Sequence, residues 1–482
     1  MRSYQLLIDG EFCDAIGGRT FGVVCPATNE ILGQVASATP EDVDRAVKAA
    51  ARAFVDPAWR YMGPMHRVGL LKRVGNLVLT HLEELAHLEA LDTGNPIRDV
   101  KQFYIPGAAG CFEFFAPLAH HLIGDQIPIS PQYLDYTTYE PLGVVAIIVP
   151  WNDPLEIACA RLATALAAGN TCILKPSPLA PLTCMRLGGI FLEAGFPPGV
   201  VSIIAGSDDQ VGTALINHPK VQMISFTGSV TTGRTILEAA AKTIKRVCLE
   251  MGGKSPNIVF PDADLSRAVP GAAQAIYLMS GQNCVAGSRL FVHEAIYDEF
   301  VSRLIEESSR YRVGDPLDPE TMMGPLISPN QLNKVKQYVA SAQAEGANLV
   351  LGGTAPSAPK LQHGNYFLPT IFTEVRPSMR IAQEEIFGPV LCIFKFSSVE
   401  EVVRMANTTE YGLGAGIWTQ DLKLAHQLAK DLQAGTVYVN TYNEFYSQAP
   451  FGGYKQSGLG YEYGLDALKQ YAQRKNVLIR LD

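Results

Sequence analysis

Apolar runs and amphipathic stretches alternate along the middle of the chain, which predicts strands and helices in turn. The run GVVAIIV (143–149) is apolar, rich in β-branched residues and bounded by glycine and proline, as in a buried strand. A helix is predicted next, over PLEIACARLATALAAGN, with Pro154 near its start and Gly169 and Asn170 at its end. Further strands are predicted at TCILK, VVSIIAG, QMISFTGS and KRVCLEM, with helices between them. This βαβ rhythm predicts a mostly parallel sheet, in which ligands bind beyond the carboxyl ends of the strands.

A second alternating region runs from PNIVF (256–260) to about Asn440. Its amphipathic segments IYDEFVSRLIEESSRY and QLNKVKQYVASAQAEG predict helices, and ANLVLGG, VLCIFKF and GTVYVN predict strands. The region before residue 120 is predicted to be mainly helical after a short β entry. Two pieces, 125–141 and the terminal NVLIRLD (476–482), fit neither region. Because isolated strands are unstable, we expect these two to pair with each other or with another subunit.

The composition excludes several classes of protein. A chain of 482 residues is long enough for about three domains, and 47% hydrophobic with 18% charged residues is ordinary for a large globular enzyme. The net charge of −8 and the lack of a lysine or arginine run argue against a nucleic-acid partner. Nine scattered cysteines, without a CxxC motif or a Cys/His cluster, indicate a reducing compartment rather than a disulfide framework or a metal site. Without a secretory pattern or a bilayer-length apolar segment, a cytoplasmic protein with no membrane partner is expected.

Glu250 and Cys284 together form the most informative pair of residues. Two glycines follow Glu250 within LEMGGKSP, and they leave its carboxylate free to be aimed in more than one direction. The small residues around Cys284, in SGQNCVAGSR, let a backbone amide and a substrate carbonyl approach one sulfur. A thiolate that accepts an acyl group, with a carboxylate that activates water to release it, describes covalent catalysis followed by hydrolysis. For either residue alone, a buried structural cysteine or a surface glutamate is the more common interpretation.

Two polar residues follow successive predicted strands. Asn152, in VPWN, has a side-chain amide that suits a developing oxyanion, and the alternative is an ordinary turn asparagine. Lys175, in LKPSP, suits the hydroxyl groups of a ribose, and the alternative is a surface lysine before a loop.

Two further motifs suit other parts of a nucleotide. In SFTGSVTTGRTI, Gly228 permits a tight turn and Ser229 begins a helix whose free backbone amides suit a phosphate. An ordinary serine N-cap explains that motif equally well. In EEIFGPV, Glu385 suits a sugar diol and Phe387 suits a ring, whereas a simple loop is the alternative for the motif taken alone.

Taken in order, VPWN, LKPS, FTGS…G, LEMGGKSP, GQNCVAGSR, EEIFGPV and PFGGYKQSGLGYE resemble the aldehyde dehydrogenase superfamily. The match covers essentially the whole chain. The resemblance implies an α/β fold with three parts: a Rossmann-type dinucleotide-binding domain (1–122 and 142–252), an α/β catalytic domain that carries the thiol (253–456) and a small β oligomerisation domain (123–141 and 457–482). It also implies oxidation of an aldehyde to a carboxylic acid, NAD or NADP as cofactor, and a homodimer or homotetramer.

The resemblance also implies roles for individual residues. Cys284 would be the nucleophile, Glu250 the general base, and Asn152 with the Cys284 backbone amide the oxyanion hole. Glu462, in GYE, matches a family carboxylate that relays protons from the base. The dinucleotide would be held by Trp151 (through its backbone), Lys175, Ser177, Pro178, Gly212, Phe226, Gly228, Ser229, Thr232, Met251, Glu385 and Phe387. The substrate tunnel would be lined by Asp153, Ile157, Ala160, Leu278, Asn283, Val285 and Phe445.

Several positions depart from the common pattern of the family. Pro178 stands where many members carry a glutamate that binds the adenosine ribose. Because Pro178 is uncharged and Lys175 lies nearby, NADP is expected to be accepted as well as NAD. Ala160 and Leu278 fall where bulkier aromatic residues often line the tunnel, which favours a bulky or aromatic aldehyde. Asp153 replaces a frequent aromatic residue and suits a cationic or hydroxylated substrate instead.

Two other functions remain open on the same scaffold. In a CoA-acylating member, CoA rather than water takes the acyl group, and Glu250 argues against this because a water-activating base has no use there. A catalytically silent binding or structural protein is the other alternative. The complete set of Asn152, Glu250 and Cys284 argues against a silent protein.

Overall fold

The computed structural model describes residues 2–481 and contains two large β-sheets. The first has eight strands, in the spatial order Gly458–Leu459, Arg246–Glu250, Val221–Thr227, Val144–Ile148, Thr171–Lys175, Val201–Ile203, Leu6–Ile8 and Glu11–Cys13. The five strands from Arg246–Glu250 to Val201–Ile203 are parallel, and the pairings outside them are antiparallel. The helices that pack on this sheet or on one another span Pro40–Val55, Pro64–Thr80, Leu82–Thr93, Ile105–Leu118, Pro154–Ala167, Leu182–Ala194, Asp209–Asn217 and Val230–Ala241.

The central strands are apolar because helices cover the sheet. Val144–Ile148 and Thr171–Lys175 are buried almost throughout, which confirms the strands predicted at 143–149 and 171–175. The helix Pro154–Ala167 begins at the predicted proline. Gly169 follows this helix with a φ of 88°, in the left-handed region that glycine adopts at low cost.

The second sheet has seven strands, in the order Asn348–Leu351, Thr370–Thr373, Val390–Phe396, Arg289–His293, Pro256–Val259, Gly414–Trp418 and Thr436–Val439. All neighbouring strands are parallel except the first pair. Its helices span Leu265–Tyr277, Tyr297–Ser309, Pro329–Ala344, Val399–Ala406 and Leu422–Asp431. The strands predicted at ANLVLGG, VLCIFKF and GTVYVN are confirmed.

A third, antiparallel sheet is built from the two segments that fit neither region of the sequence. Ala472–Arg480 pairs along its whole length with Tyr133–Pro141, and Gln126–Ile127 joins the other edge of that strand. The expectation that these segments pair with each other is therefore confirmed.

The remaining elements are short. Two further small sheets contain Arg2–Tyr4, Ile31–Ala36 and Thr20–Val24, and Tyr411–Gly412 with Tyr454–Lys455. Short helical segments span Ile16–Gly18, Pro57–Arg60, Ile97–Asp99, Val100–Tyr104, Leu278–Gly281, Glu294–Ile296, Pro359–Leu361, Arg380–Gln383 and Gly464–Gln470. Within residues 2–481, none of the helices combines the length and the hydrophobicity needed to cross a membrane.

The strand order brings several strand ends together at one edge of the first sheet. Four parallel neighbours end at Ile148, Lys175, Thr227 and Glu250, so the loops that follow them share this edge. The chain then passes from Glu250 directly into Pro256–Val259 of the second sheet. The candidate residues of the first region therefore face those of the second.

Candidate active site

A cavity of about 380 Å³ is lined by residues from both sheet regions, and it brings the four candidate catalytic residues together. Asn152 and Glu250 reach it from the ends of strands of the first sheet. Cys284 reaches it from a loop of the second region, and Glu462 from the C-terminal segment. Residues that are hundreds of positions apart in the sequence thus open onto one space.

The loop that carries Cys284 has an unusual backbone. It leaves the helix Leu265–Tyr277 through Met279 and Ser280, whose φ angles of 53° and 58° lie in the left-handed region. Non-glycine residues adopt that region at a cost, and such strain is common at functional sites. The side chain of Asn283 then accepts a hydrogen bond of 3.2 Å from the Val285 amide and fixes the turn around the sulfur.

The surroundings of the Cys284 thiol favour its protonated form. Burial raises its pKa to about 12, and the negative charges of Glu385 and Glu250 act in the same direction. The backbone amides of Cys284 and Val285 lower the pKa because they donate hydrogen bonds to the sulfur. The thiol is therefore held as a neutral group until something withdraws its proton.

Glu250 is a buried carboxyl group whose oxygens have no partner among residues 2–481. The residue is 4% exposed, and neither carboxyl oxygen accepts a hydrogen bond. Burial raises its pKa well above the ordinary value, Glu462 raises it further, and Arg161 opposes the shift. Buried polar groups almost always have partners, so two free oxygens facing a cavity suit a bound water.

Asn152 presents an available donor to the same cavity. The Asn95 side chain donates a hydrogen bond of 2.9 Å to the Asn152 carbonyl and fixes its backbone. Its own amide nitrogen lies 4.0 Å from the Met279 sulfur, which is a weak acceptor. The Asn152 amide can therefore donate to an oxygen that enters the cavity.

Glu462 belongs to a buried network that the sequence did not reveal. One of its carboxyl oxygens pairs with Arg161 and accepts a hydrogen bond of 3.1 Å from the Tyr471 hydroxyl. Arg161 also donates to the hydroxyl groups of Ser225 and Thr227. Burial alone would lower the pKa of Arg161, but Glu462 together with Tyr471, Cys248 and Glu250 raises it overall. The available signal was an arginine in a helix whose only other charged residue is Glu156.

Lys175 ends its strand with its ammonium group largely unbonded. The residue is buried, and its nitrogen donates only a long bond of 3.4 Å to the Pro176 carbonyl. A Cβ atom on Gly212 would lie 3.7 Å from Cε of Lys175, so this glycine lies against the lysine side chain. Burial lowers the pKa of Lys175, whereas the carboxylates of Asp209 and Asp208 raise it. These two acidic neighbours were not part of the sequence prediction.

Ser229 begins the helix that follows Thr227. Its hydroxyl accepts a hydrogen bond of 3.2 Å from the Thr232 amide, which is the ordinary N-cap left open by the sequence. A Cβ atom on Gly228 would lie 2.5 Å from the ring of Phe226, so only glycine fits this turn. The start of the helix is exposed at the same edge of the sheet as Lys175, with the strand Val144–Ile148 between them.

The EEIFGPV loop of the second region packs against the VPWN loop of the first. The ring of Phe387 meets Trp151 edge to face, at 5.2 Å between centroids. Glu385 accepts a hydrogen bond of 3.0 Å from the Gly253 amide, and its carboxylate fills the space where a side chain on Gly252 would lie. Burial raises the pKa of Glu385, and the Gly253 amide lowers it.

These residues fit a dinucleotide that lies across the edge of the first sheet. A weakly bonded ammonium group at Lys175 and a helix start at Ser229 suit hydroxyl and phosphate groups, and Glu385 adds a carboxylate from the facing loop. The other candidates continue the same strand-end loops: Ser177 and Pro178 after Lys175, and Met251 after Glu250.

Most of the candidate tunnel residues line the same cavity as Cys284. Six of the seven do so: Asp153, Ile157, Ala160, Leu278, Asn283 and Phe445. Val285 does not belong to this lining, since its side chain is fully buried beside Gly414. Among residues 2–481, no three histidine, cysteine, aspartate or glutamate side chains are grouped so as to hold a metal ion.

Comparison with known proteins agrees with this geometry. Residues 12–477 match the model of the aldehyde dehydrogenase family. The chain belongs to the aldehyde dehydrogenase family. An aldehyde dehydrogenase of Enchytraeus buchholzi is 44% identical over 479 residues, which are 99% of this chain and 95% of that protein.

Solved aldehyde dehydrogenase structures share its fold. An NAD+ complex of an aldehyde dehydrogenase from Bacillus cereus is 43% identical, with a TM-score of 0.98 and coverage of 100% of this chain and 97% of that chain. The indole-3-acetaldehyde dehydrogenase AldA of P. syringae, a mutant in complex with NAD+ and IAA, is 42% identical. Its TM-score is 0.97, with coverage of 99% of this chain and 96% of that chain. The aldehyde dehydrogenase fold and enzyme class implied by the sequence are thus confirmed.

Proposed function

We propose that this aldehyde dehydrogenase converts its substrate to a carboxylic acid through covalent intermediates on Cys284. One observation carries the proposal: the side chains of Cys284, Asn152 and Glu250 open onto a single cavity. In the first step the Cys284 thiolate adds to the aldehyde carbon and forms a thiohemiacetal. The side-chain amide of Asn152 and the backbone amide of Cys284 donate to the oxygen as it becomes negative.

The second half of the reaction depends on Glu250. When bound, the nicotinamide cofactor supplies a hydride acceptor, and loss of hydride leaves a thioester on Cys284. Glu250 takes a proton from a water molecule, whose oxygen attacks the thioester carbon. The acid leaves and the Cys284 thiolate is restored. Both carboxyl oxygens of Glu250 lack another partner in the described chain, which supports a bound water there.

We assign to Glu462, paired with Arg161, the removal of the proton that Glu250 takes from water. Burial and the charge of Glu462 raise the pKa of Glu250, which makes its ionised form a better base. One oxygen of Glu462 pairs with Arg161, and its other oxygen is buried without a partner in residues 2–481. That free oxygen suits a water-mediated route for the proton.

The cofactor is NAD or NADP. NAD+ is the molecule bound in the Bacillus cereus and P. syringae relatives. The uncharged Pro178 removes one source of repulsion toward a 2′-phosphate, and the ammonium group of Lys175 attracts one. Asp208 and Asp209, which act electrostatically on Lys175, oppose that attraction. NADP is therefore expected to be accepted beside NAD.

The domain assignment and the assembly belong to the same proposal. Residues 1–122 and 142–252 hold the cofactor, 253–456 carry the thiol, and 123–141 with 457–482 mediate a homodimer or homotetramer. In the segment 457–482, Gly458–Leu459 pairs with the first sheet and is not available for assembly. The strand Ala472–Arg480 is mostly exposed and presents an open edge. Free thiols at all nine cysteines support the cytoplasm as the compartment.

A bulky or aromatic aldehyde suits the cavity. Ala160 and Leu278 line it with small or aliphatic side chains and leave about 380 Å³ of space. By its name, the AldA relative acts on indole-3-acetaldehyde, an aldehyde that carries an aromatic ring system.

The test is an assay of the purified chain with a panel of aldehydes and NAD+ or NADP+. We expect the absorbance of the reduced cofactor to rise without CoA and the carboxylic acid to accumulate. A requirement for CoA, with an acyl-CoA product, would identify the acylating alternative. No reduction with any aldehyde would identify a silent binding protein. Cys284→Ala is the control, because it removes the nucleophile and should abolish reduction.

A further inference from the structure

Three carboxyl groups in the wall of the substrate cavity, those of Asp153, Glu156 and Glu444, have no part in the reaction described above, and the first two lie close together in the sequence. Asp153 and Glu156 lie at the start of the helix Pro154–Ala167, and both line the cavity that contains Cys284. Glu156 also lines an adjoining cavity of about 600 Å³. It therefore stands where the two spaces meet, beside the path that a long substrate would follow to the thiol.

Helix capping does not account for Oδ1 of Asp153. The residue occupies the N-cap position, yet its side chain makes no capping hydrogen bond. The Leu155 amide lies instead 3.5 Å from a carboxyl oxygen of Glu89, on a neighbouring helix. Oδ1 of Asp153 is buried and has no hydrogen-bond partner in the described chain. This oxygen is thus free to meet a ligand.

The position of Glu156 depends on a glycine in the facing helix. A Cβ atom on Gly107 would lie 2.7 Å from atoms of the Glu156 carboxyl group, which is too close for any real contact. Gly107 lines both cavities as well. The facing helix therefore leaves space for a carboxyl group at the junction of the two cavities.

The electrostatic surroundings of the two carboxyl groups favour a cation. Burial raises the pKa of Asp153 to about 7, and hydrogen bonds from Glu156 lower it. Burial, followed by the charges of Asp153 and Glu89, raises the pKa of Glu156 well above its ordinary value. Both shifts therefore arise chiefly from burial, which disfavours the negative form of each carboxyl group. Among the described residues that line either cavity, Arg161 is the only arginine or lysine, and it is paired with Glu462.

Aromatic rings complete this part of the wall. Phe445 and Tyr463 line both cavities, and Phe103 and Tyr104 line the inner one. Ring faces attract ammonium groups, and they accommodate the methyl groups of a quaternary amine. Acidic groups and ring faces both disfavour the binding of an anion in this part of the cavity.

We propose that Asp153 and Glu156 select aldehydes whose far end carries an ammonium group, and that they disfavour aldehydes that end in a carboxylate. This inference rests on the proposed oxidation at Cys284. It names a substrate class for that reaction. The bulk of a quaternary ammonium group also fits the wide cavity. Asp153 and Glu156 act here as specificity-determining residues.

The test compares three aldehydes of equal chain length that end in a trimethylammonium, a tert-butyl or a carboxylate group. The first two are isosteres that differ only in charge. We expect kcat/KM to be about tenfold higher for the cation than for its neutral isostere, as one charge contact of roughly 1.4 kcal/mol would give. The carboxylate aldehyde should be the poorest of the three.

Conservative variants assign the effect to the two carboxyl groups. Glu156→Gln and Asp153→Asn keep the shape of each side chain and remove its charge. Each should lower the ratio of kcat/KM for the cation over its neutral isostere towards one. Glu113→Gln is the matched control, because Glu113 lines the adjoining cavity and not the one that holds Cys284. It should leave the ratio within about twofold of the unmodified enzyme, since its charge is distant and solvated.

Three results would overturn the inference: equal kcat/KM for the two isosteres, an unchanged ratio in both variants, or an equal fall of the ratio in Glu113→Gln. Oxidation of the neutral aldehyde in those cases would leave the proposed reaction intact. Failure to oxidise any of the three aldehydes would instead count against the proposed reaction itself.

Discussion

At the scale of single residues, burial decides how strongly Cys284 holds its proton. Because its pKa is raised to about 12, the reactive thiolate is the minor form at neutral pH and grows as the pH rises. In the enzyme without cofactor, we expect alkylation by iodoacetamide to accelerate about tenfold per pH unit from about pH 7 to about pH 10. Cys284→Ala gives the background from the other cysteines. A plateau at about pH 9, close to the ordinary cysteine pKa, would contradict this prediction.

Asn152 offers a second test at this scale. Its backbone is fixed by Asn95, and within residues 2–481 its side-chain amide has only a distant sulfur as partner, so that amide is ready to donate to an oxyanion. Asn152→Ala should reduce kcat by about 10²–10³, the usual effect of removing one such donor. Steady-state kinetics with the best aldehyde measure the loss. A reduction of less than about threefold would remove Asn152 from that role.

The sequence motifs indicated the candidate catalytic residues more readily than the residues that contact them. Cys284 and Glu250 stand in recognisable strings, whereas Arg161 and Tyr471 become partners of Glu462 only through tertiary contacts. Glu156 was not predicted as a site residue for the same reason. Its place in the cavity wall depends on the space that Gly107 leaves on another helix.

At the scale of elements, strands that are buried on both faces were the easiest to predict. Val144–Ile148 is a continuous apolar run, and its pattern is local. The edge strand Gly458–Leu459 was not predicted, because it is short and is defined by its pairing with a distant strand, and Glu11–Cys13 was predicted only as part of an undivided β entry. Local patterns therefore indicated the core of each sheet and not its borders.

The loop after Thr171–Lys175 carries the prediction on cofactor choice. Pro178 lies in this loop, and Asp209, at the start of the helix Asp209–Asn217, acts electrostatically on Lys175. Pro178→Glu adds an anion that should repel the 2′-phosphate, so we expect about a tenfold fall in kcat/KM for NADP and little change for NAD. Kinetics with both cofactors measure this. Strict use of NAD by the unmodified enzyme would contradict the account of this loop.

At the scale of the whole molecule, the third sheet predicts self-association. Its strand Ala472–Arg480 exposes Leu478, which is 55% accessible at an open strand edge. We expect light scattering to report a homodimer or homotetramer. Leu478→Glu should weaken the assembly, because a charge replaces roughly 2 kcal/mol of apolar burial.

Ile244→Glu is the matched control for that change. Ile244 is 92% exposed and lies outside the third sheet, so a glutamate there should leave the assembly intact. A monomeric unmodified enzyme, or equal dissociation of both variants, would contradict the assignment of this sheet to assembly.

The site as a whole combines what the sequence indicated with what only the fold reveals. The ordered motifs predicted that Asn152, Glu250 and Cys284 act together, because the family resemblance spans the chain. The motifs gave neither the cavity volume nor the burial that shifts the pKa of Glu250, since both depend on packing between the two sheets.

The most direct test of the central claim is a rapid-mixing experiment on Glu250→Gln with aldehyde and cofactor. If Glu250 activates the water that releases the thioester, hydride transfer should survive in this variant. A burst of reduced cofactor, close to one equivalent per site, should precede a steady state slowed by on the order of 10²-fold. Equal loss of the burst and of the steady state would contradict the account, because it would assign Glu250 to activation of Cys284.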